Sequence, residues 1–485
     1  MKLLKDILYK ARLEEVIGST NVAVDRIEFD SRKVSAFTAF VAVRGTQTDG
    51  HQFIEKAIES GAAAVICEEI PEKPKDGITY VKVRNSAEAL GYMASNYYGN
   101  PSEKIKLTGV TGTNGKTSVV TMSHALFSAL GHKSGLISTV VNKIGKEEIS
   151  ATHTTPDALS INKLMAQMAD EGCSHCFMEV SSHAIAQHRI TGLQFDVAVF
   201  TNITHEHLDY HKTFDNYIAA KKKLFDDLSA GAVAIYNRDD RRGEIMVQNT
   251  SAATKSFALK TLADYKAKVI ENQFTGLQLN INGKDVWTKL VGKFNAYNLL
   301  SVYAIADAFG AEELTVLTEI SSLNPVAGRF QHIKTEKGVN GIVDYAHTPD
   351  ALENVLKTIN DVRTGNETVI CVVGCGGDRD ATKRPVMAKI AAKLADRVIL
   401  TSDNPRTENP DTIIEDMKKG LDPSKIKKTL AVTQRGEAIR TAAALANPGD
   451  IILIAGKGHE TYQEVNGVRN HFDDMEELNN ALQNS

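Results

Sequence analysis

Apolar residues fall in short runs separated by longer amphipathic stretches, the pattern of alternating strands and helices. Thr38 to Val43, Ala62 to Ile66 and Thr79 to Val83 read as strands. Phe53 to Glu59 has helical spacing, and a further helix ends near Tyr98. Gly99-Asn100-Pro101-Ser102 breaks the pattern and predicts a domain boundary. A second segment opens with a strand over Lys106 to Val110 and runs to about Gly328. A third begins near His332 with a strand over Gly341 to Val343. Repeated strand–helix alternation predicts an α/β protein of three domains, residues 1–100, 101–330 and 331–485. No internal repeat or low-complexity stretch interrupts it.

The strongest chemical signal is Gly109-Val110-Thr111-Gly112-Thr113-Asn114-Gly115-Lys116-Thr117-Ser118, between the Val110 strand and a helix closed by Gly131. Glycines let backbone N–H groups curl around phosphate oxygens, and the helix N-terminus adds a positive dipole end. Lys116 can reach the β- and γ-phosphates, and Thr117 can offer a hydroxyl to Mg²⁺. Val110 stands where the strict phosphate loop has glycine. A Gly-rich turn alone leaves Gly-Lys-Thr at the helix start unexplained. The middle domain is therefore expected to be a P-loop ATPase-type sheet with helices.

Two polar clusters follow strand ends. Cys176 to Val180 reads as a strand, so Glu179 lies near its carboxyl end, where open α/β sheets bind ligands. The segment 202–211, with His205, Glu206 and His207, follows the strand Asp196 to Phe200. Alone, these are equally a surface carboxylate and a loop histidine. Lys221 is more telling. Over Tyr217 to Leu228 the apolar stripe is Ile218, Leu224, Phe225 and Leu228, and Lys221 falls near its middle. A lysine there snorkels, pairs or is modified. Burial favours the neutral amine, which reacts with CO₂ to give an anionic carbamate.

The third segment repeats one arrangement. Val369 to Val373 ends in Gly374-Cys375-Gly376-Gly377-Asp378-Arg379, and Val398 to Thr401 in Ser402-Asp403-Asn404-Pro405-Arg406. Ile451 to Ala455 ends in Gly456-Lys457-Gly458-His459-Glu460. Three polar loops at one offset predict a crevice in a Rossmann-like domain rather than merely solvated turns.

Composition narrows the field. The 485 residues are 42% hydrophobic and 24% charged, ordinary for a globular protein. Lys+Arg 56 against Asp+Glu 60 leaves a net charge of −4, which argues against a nucleic-acid partner. The longest apolar run, Ala62 to Cys67, is far short of the ~20 residues a spanning helix needs, and the early charges do not suit a signal peptide. No membrane partner and a cytoplasmic location are expected. Five cysteines fit reduced thiols, and Cys173/Cys176 lack a second pair for a zinc ribbon. Nine of 14 histidines lie between His124 and His211, which suggests a polar site there.

Together, Gly-Thr-Asn-Gly-Lys-Thr, Glu179-Val180-Ser181-Ser182-His183, His207 and Lys221 resemble the ATP-dependent Mur ligase family over essentially the whole chain. The resemblance implies ATP and Mg²⁺ as cofactors, with Gly112 to Ser118 on the nucleotide, and Asn295, Asn298, Arg329, Asp344 and His347 near it. It implies Glu179 and His207 on Mg²⁺, Thr117 on a second ion, and a carbamylated Lys221 (N6-carboxylysine) serving the metal site. Lys116, Lys221, His207 and Glu179 are then the catalytic set. Phe29, Ser31, Thr46, Gln47 and Thr48 match positions that hold the UDP part in the first domain; Phe29 replaces a more usual Leu. Thr154, Thr155, Ser181, Gln187 and Arg189 match positions that hold a muramoyl-dipeptide.

Asp403-Asn404-Pro405-Arg406 is similar to the sequence marking family members that add meso-2,6-diaminopimelate to UDP-N-acetylmuramoyl-L-alanyl-D-glutamate. Arg379, Gly456 and Glu460 match further contacts. The chemistry agrees, because Arg406 can pair bidentately with the distal carboxylate that lysine lacks. The expected reaction is amide formation through an acyl phosphate, by a monomer. A folylpolyglutamate synthase fits less well, having no UDP-binding unit before its phosphate loop. A switch ATPase that makes no bond is the rival from another class.

Overall fold

The computed structural model describes every residue except Thr46, Gln47, Thr152, Glu336, Lys337 and Ser485. The chain forms two compact units. One comprises Met1–Gly112, Ser123–Thr201 and Thr213–Ser256; the other comprises Thr113–Met122, Asn202–Lys212 and Phe257–Ser485. This division does not run through residues 100 and 330.

The first unit holds an N-terminal sheet and strands of a larger one, besides the short antiparallel pair Lys2–Leu3 with Ala23–Val24. In the N-terminal one the order is Leu13–Ile17, Thr79–Val83, Ala62–Cys67, Thr38–Val41, Arg26–Glu28. Only the first pairing is antiparallel. The unbroken apolar run at 62–67 follows from burial on both faces. Ala64 and Ile66 join one core with Met93 of the helix Ser86–Tyr97. Val65 and Cys67 join another with Ile54 and Ala57 of the helix Ile54–Glu59.

In the larger sheet Lys106–Thr111 lies between His175–Glu179 and Val197–Phe200, all parallel. Register pairs Glu179 with Val110 and Phe200 with Thr111, so these carboxyl ends finish level with one another. An antiparallel extension, Val141–Ile144 and Glu147–Ser150, lies beyond Ser134–Ile137. The helix Phe214–Asp226 starts where Thr213 accepts the N–H of Asn216 at 3.2 Å, a side-chain N-cap.

In the second unit an antiparallel meander, Tyr265–Gln273, Gly276–Ile281 and Lys284–Thr288, precedes the buried helix Lys293–Ala308. Its charged residues alternate with apolar ones, a pattern not assigned from sequence. The C-terminal sheet runs Gln331–Lys334, Asn340–Asp344, Ile451–Ala455, Val369–Cys375, Arg397–Ser402, Thr429–Ala431. All pairings but the first are parallel. The last strand in sequence of its central four, Ile451–Ala455, inserts between the first two. Chain order reverses there, which opens a crevice at the carboxyl ends. Apolar residues fill both faces, Val373 and Leu453 on one and Val372 and Ile454 on the other. No helix among the described residues is long and apolar enough to cross a membrane.

Candidate nucleotide and amino-acid sites

The phosphate loop leaves its strand at Thr111 and turns through two glycines with positive φ, Gly112 at 152° and Gly115 at 89°. A side chain at Gly115 would be strained. In the second unit the loop is held by the segment after Thr201. Thr113 N donates to Asn202 O at 2.8 Å, Asn114 N to Asn202 Oδ1 at 2.9 Å, and Asn202 Nδ2 to Asn114 O at 3.1 Å. Asn114 Nδ2 donates to Asp350 Oδ2 at 2.7 Å, a contact across 236 residues that sequence reasoning missed. Lys116, half-buried at the start of the helix Lys116–Ala129, donates back to Thr113 O at 2.8 Å. Thr117 Oγ1 accepts from Arg329 Nη2 at 3.0 Å, so a cation already faces that hydroxyl.

Arg329 also stacks its guanidinium 4.7 Å from the Tyr345 ring centre, while its Nε is buried without a hydrogen-bond partner. Beside it, Asp344 accepts the N–H of Phe330 at 2.6 Å. Burial lifts the Asp344 carboxyl to about 6, against the opposing pull of Arg329. His347 Nδ1 lies 2.9 Å from Tyr345 O, and Lys383 donates to His347 O at 3.0 Å. His459 packs on Tyr345, with ring centres 4.9 Å apart. Burial, with Arg329 and His347 nearby, lowers its imidazole to about 4. Asn295 and Asn298 are buried and bonded to one another, Nδ2 of Asn298 to Oδ1 of Asn295 at 3.1 Å. His207 has left-handed backbone, φ 57°, in front of a single helical turn, and its Nε2 is 3.7 Å from Glu206 Oε2.

In the first unit Glu179 ends its strand 1% exposed. Its Oε1 accepts Thr139 N at 2.8 Å, and its Oε2 is buried with no hydrogen-bond partner. A buried carboxylate oxygen left this way is costly unless a cation or proton meets it, so the site fits a divalent ion. No group of three or more His, Cys, Asp or Glu among the described residues is arranged to hold a metal. Mg²⁺ takes one or two protein carboxylates and completes its shell with phosphates and water, a demand that a single carboxylate oxygen such as Glu179 Oε2 can meet. Around Glu179 the residues matched to a peptide substrate form one chain of bonds. Thr139 Oγ1 reaches Thr154 Oγ1 at 3.1 Å, and Thr155 Oγ1 donates to Glu179 O at 2.8 Å. Ser181 N donates to Thr155 Oγ1 at 3.1 Å. Arg189 donates to Thr155 O at 2.7 Å and, through Nε and Nη2, to Gln187 Oε1.

Lys221, placed by helical spacing near the middle of an apolar stripe, is 1% exposed and does not snorkel to the surface. Its Nζ donates to Gly112 O at 2.9 Å and lies 4.8 Å from the Tyr217 ring centre. It thus reaches the loop's first glycine. Ser31 is buried, Phe29 and Thr48 are exposed near the N-terminal sheet, and Thr46 and Gln47 lie outside the described residues.

The three C-terminal loops meet as expected. Gly377 N donates to Asn404 O at 2.9 Å, and Arg406 Nη1 donates to Gly377 O at 2.7 Å. A side chain on Gly377 would run into the Pro405 carbonyl. Asn404 Nδ2 donates to Glu460 Oε2 at 2.8 Å. Asp403 is buried beneath them. Despite burial, Arg435 and Lys457 hold its carboxyl below the ordinary carboxylate range. Gly456 adopts φ 121°, and a Cβ there would lie 2.5 Å from Asp403 Oδ2. Arg379 is exposed. Sequence reasoning gave no role to Lys457, nor to the pair Arg435–Asp474; Lys457 stands between two glycines of a polar loop, and Arg435 and Asp474 lie in polar stretches that carry no local signal.

A phosphate loop at a strand end and a crevice rich in charged groups at the carboxyl ends of a parallel sheet are the marks of a nucleotide-dependent α/β enzyme. The Mur ligase middle domain matches residues 110–306, the Mur ligase glutamate ligase domain 328–458, and the Mur ligase family catalytic domain 23–98. The UDP-N-acetylmuramoyl-L-alanyl-D-glutamate–2,6-diaminopimelate ligase of Bacteroides thetaiotaomicron is 53% identical, over 98% of this chain and 99% of its own. That of Cytophaga hutchinsonii is 54% identical over 97% of each. A solved structure of a ligase of the same name superposes with a TM-score of 0.70, at 32% identity over 98% of both chains. The chain belongs to the Mur ligase family, whose members are ATP-dependent amide ligases.

Proposed function

We propose that the chain joins meso-2,6-diaminopimelate to the D-glutamyl carboxylate of UDP-N-acetylmuramoyl-L-alanyl-D-glutamate, with ATP converted to ADP and phosphate, in peptidoglycan precursor synthesis. The observation that carries the reading is the Asn404–Glu460–Arg406 cluster zipped to Gly377. It links a guanidinium and a carboxylate through Gly377 and Asn404, the complement of a distal amino-acid zwitterion. The expected domains take one task each: UDP recognition by 1–100, ATP and metal by 101–330, the incoming amino acid by 331–485.

The reaction is read in two steps. The D-glutamyl carboxylate oxygen attacks the γ-phosphorus of ATP, the bond to the β-bridging oxygen breaks, and ADP leaves an acyl phosphate. The neutral amine of diaminopimelate then attacks the acyl carbon and expels phosphate. Lys116 and the loop N–H groups bind phosphate oxygens and stabilise charge building on them. Arg329 orients Thr117 and the nucleotide, with Asn295, Asn298, Asp344 and His347 near it. Thr154, Thr155, Ser181, Gln187 and Arg189 orient the dipeptide, and Phe29, Ser31, Thr46, Gln47 and Thr48 the UDP part. Arg379, Asp403, Asn404, Pro405, Arg406, Gly456 and Glu460 hold the amino acid. Glu179, His207, Thr117 and a carbamylated Lys221 would hold Mg²⁺, which when bound neutralises phosphoryl charge. The reading carries with it a cytoplasmic, monomeric enzyme.

The test is phosphate release by the purified chain with ATP, Mg²⁺ and the UDP-muramoyl-dipeptide, with and without diaminopimelate. Release dependent on both substrates is expected. Release from ATP alone, unchanged by either, identifies a switch ATPase and overturns the proposal.

A further inference from the structure

We propose that Lys457 is a positioning residue that fixes the amino-acid pocket for a zwitterionic side chain. This rests on the diaminopimelate reading above. Lys457 has no exposed surface, yet it lies in a loop between two glycines of positive φ, Gly456 at 121° and Gly458 at 54°. Those conformations turn the lysine inward, where an L side chain at either neighbour would be strained. A Cβ on Gly458 would also lie 2.7 Å from Tyr345 Cβ.

Inside, its Nζ donates to Asn404 Oδ1 at 2.9 Å and to Glu460 Oε2 at 3.3 Å, 5.5 Å from the Tyr462 ring centre. An ammonium carries three donors and no acceptor. Glu464 N, also a donor, reaches the same Asn404 Oδ1 at 2.9 Å. Two donors therefore face one end of the Asn404 amide. A carboxylate, which only accepts, faces the other, with Glu460 Oε2 2.8 Å from Nδ2. Only one of the two amide orientations satisfies this set, and Lys457 holds it from the Oδ1 end, with Glu464 N beside it, as the Glu460 carboxylate does from the Nδ2 end.

Two consequences reach the ligand. Glu460 Oε2 is engaged twice, so Oε1, which has Tyr345 Oη at 3.4 Å, is the oxygen presented to a substrate ammonium. Lys457 is also an internal cation against Asp403 and Glu460, in addition to Arg435 beneath Asp403. Removing it makes the pocket more negative, which favours a singly cationic side chain such as that of lysine over the diaminopimelate zwitterion.

The experiment is steady-state phosphate release by full-length wild type, Lys457→Met and Lys457→Arg, varying each substrate in turn, with diaminopimelate or lysine as acceptor. Lys457→Met should raise KM for diaminopimelate about tenfold or more, the worth of one charge-assisted bond. KM for ATP and for the UDP-dipeptide should stay near wild type, and the preference for diaminopimelate over lysine should fall. Lys457→Arg keeps the buried charge but replaces a point donor with a planar fork, and should give a smaller rise of the same kind. If Lys457→Met does not fold, judged by its thermal melt, the Arg variant decides. Wild-type KM and preference in whichever variants fold overturn the proposal, as does a fall in kcat with all KM values unchanged. A wild-type chain inert toward diaminopimelate instead overturns the function proposed above.

Discussion

Replacing Arg435 by Met should destabilise the C-terminal part of the protein far more than an ordinary surface change. Arg435 and Asp474 have no exposed side-chain surface. The guanidinium makes a two-pronged bond, Nε to Asp474 Oδ1 and Nη2 to Oδ2, each 2.7 Å, and Nη2 also reaches Ala455 O at 3.1 Å. Methionine keeps much of the volume but leaves the Asp474 carboxylate buried and unpaired. Breaking such a pair costs about 3–5 kcal/mol, roughly a 10²- to 10³-fold rise in the unfolded population or more. Asp474 also opens the helix Asp474–Asn484, where a carboxylate gains about 0.3–1 kcal/mol from the helix dipole. The double variant Arg435→Met with Asp474→Leu should therefore recover most, though not all, of the loss. Urea titrations followed by circular dichroism, on both single variants and the double, measure the coupling. A loss below about 1 kcal/mol for Arg435→Met, with unchanged urea dependence, would refute the reasoning. Because Ala455 precedes Gly456, variants that remain folded should also bind the amino acid less well.

Asp344 titrates near pH 6 when folded and near its ordinary 3.8 when unfolded. The folded state thus holds the proton more tightly. The stability this supplies is fully present below about pH 4 and is lost as pH rises through about 6. Asp344→Asn should abolish a drop of about 2 kcal/mol between pH 4.5 and 7.5, read as the stability difference between those two pH values. Lys221→Ala should nearly abolish ADP release, with partial rescue by a short carboxylic acid; near-full activity in that variant sinks the carbamate reading. Gly456→Ala should raise KM for diaminopimelate while leaving ATP binding intact. Its Cβ would lie 2.5 Å from Asp403 Oδ2 at a φ of 121°, a strain of about 1–3 kcal/mol.

What the sequence disclosed and what it hid follow from one distinction. Periodicity reports burial, so strands at 62–66 and 106–110 and a helical stripe over 217–228 with Lys221 near its middle were legible in the sequence; they form as Ala62–Cys67, Lys106–Thr111 and Phe214–Asp226. Strand-end offsets report the side of a parallel sheet on which loops gather, so Asp403, Arg406, Gly456 and Glu460 were found together. The family motif then gave roles to residues whose types alone were ambiguous, Glu179 and His207 among them. The meander 265–288 was not read, because its exposed alternation of charge has no local signal stronger than that of a loop. Nor could any local rule reveal that Asp350 holds Asn114 or that Arg435 and Asp474 meet beneath Ala455. Those are long-range pairings made by the order of strands, and composition carries no trace of that order. The same limit explains Lys457. In sequence it is one more charge in a polar loop, and only the packed crevice shows its ammonium donating to Asn404 and Glu460. The net charge of −4 was silent on all of this, because a sum over the chain does not report where single cations such as Lys221, Arg406 and Lys457 are placed.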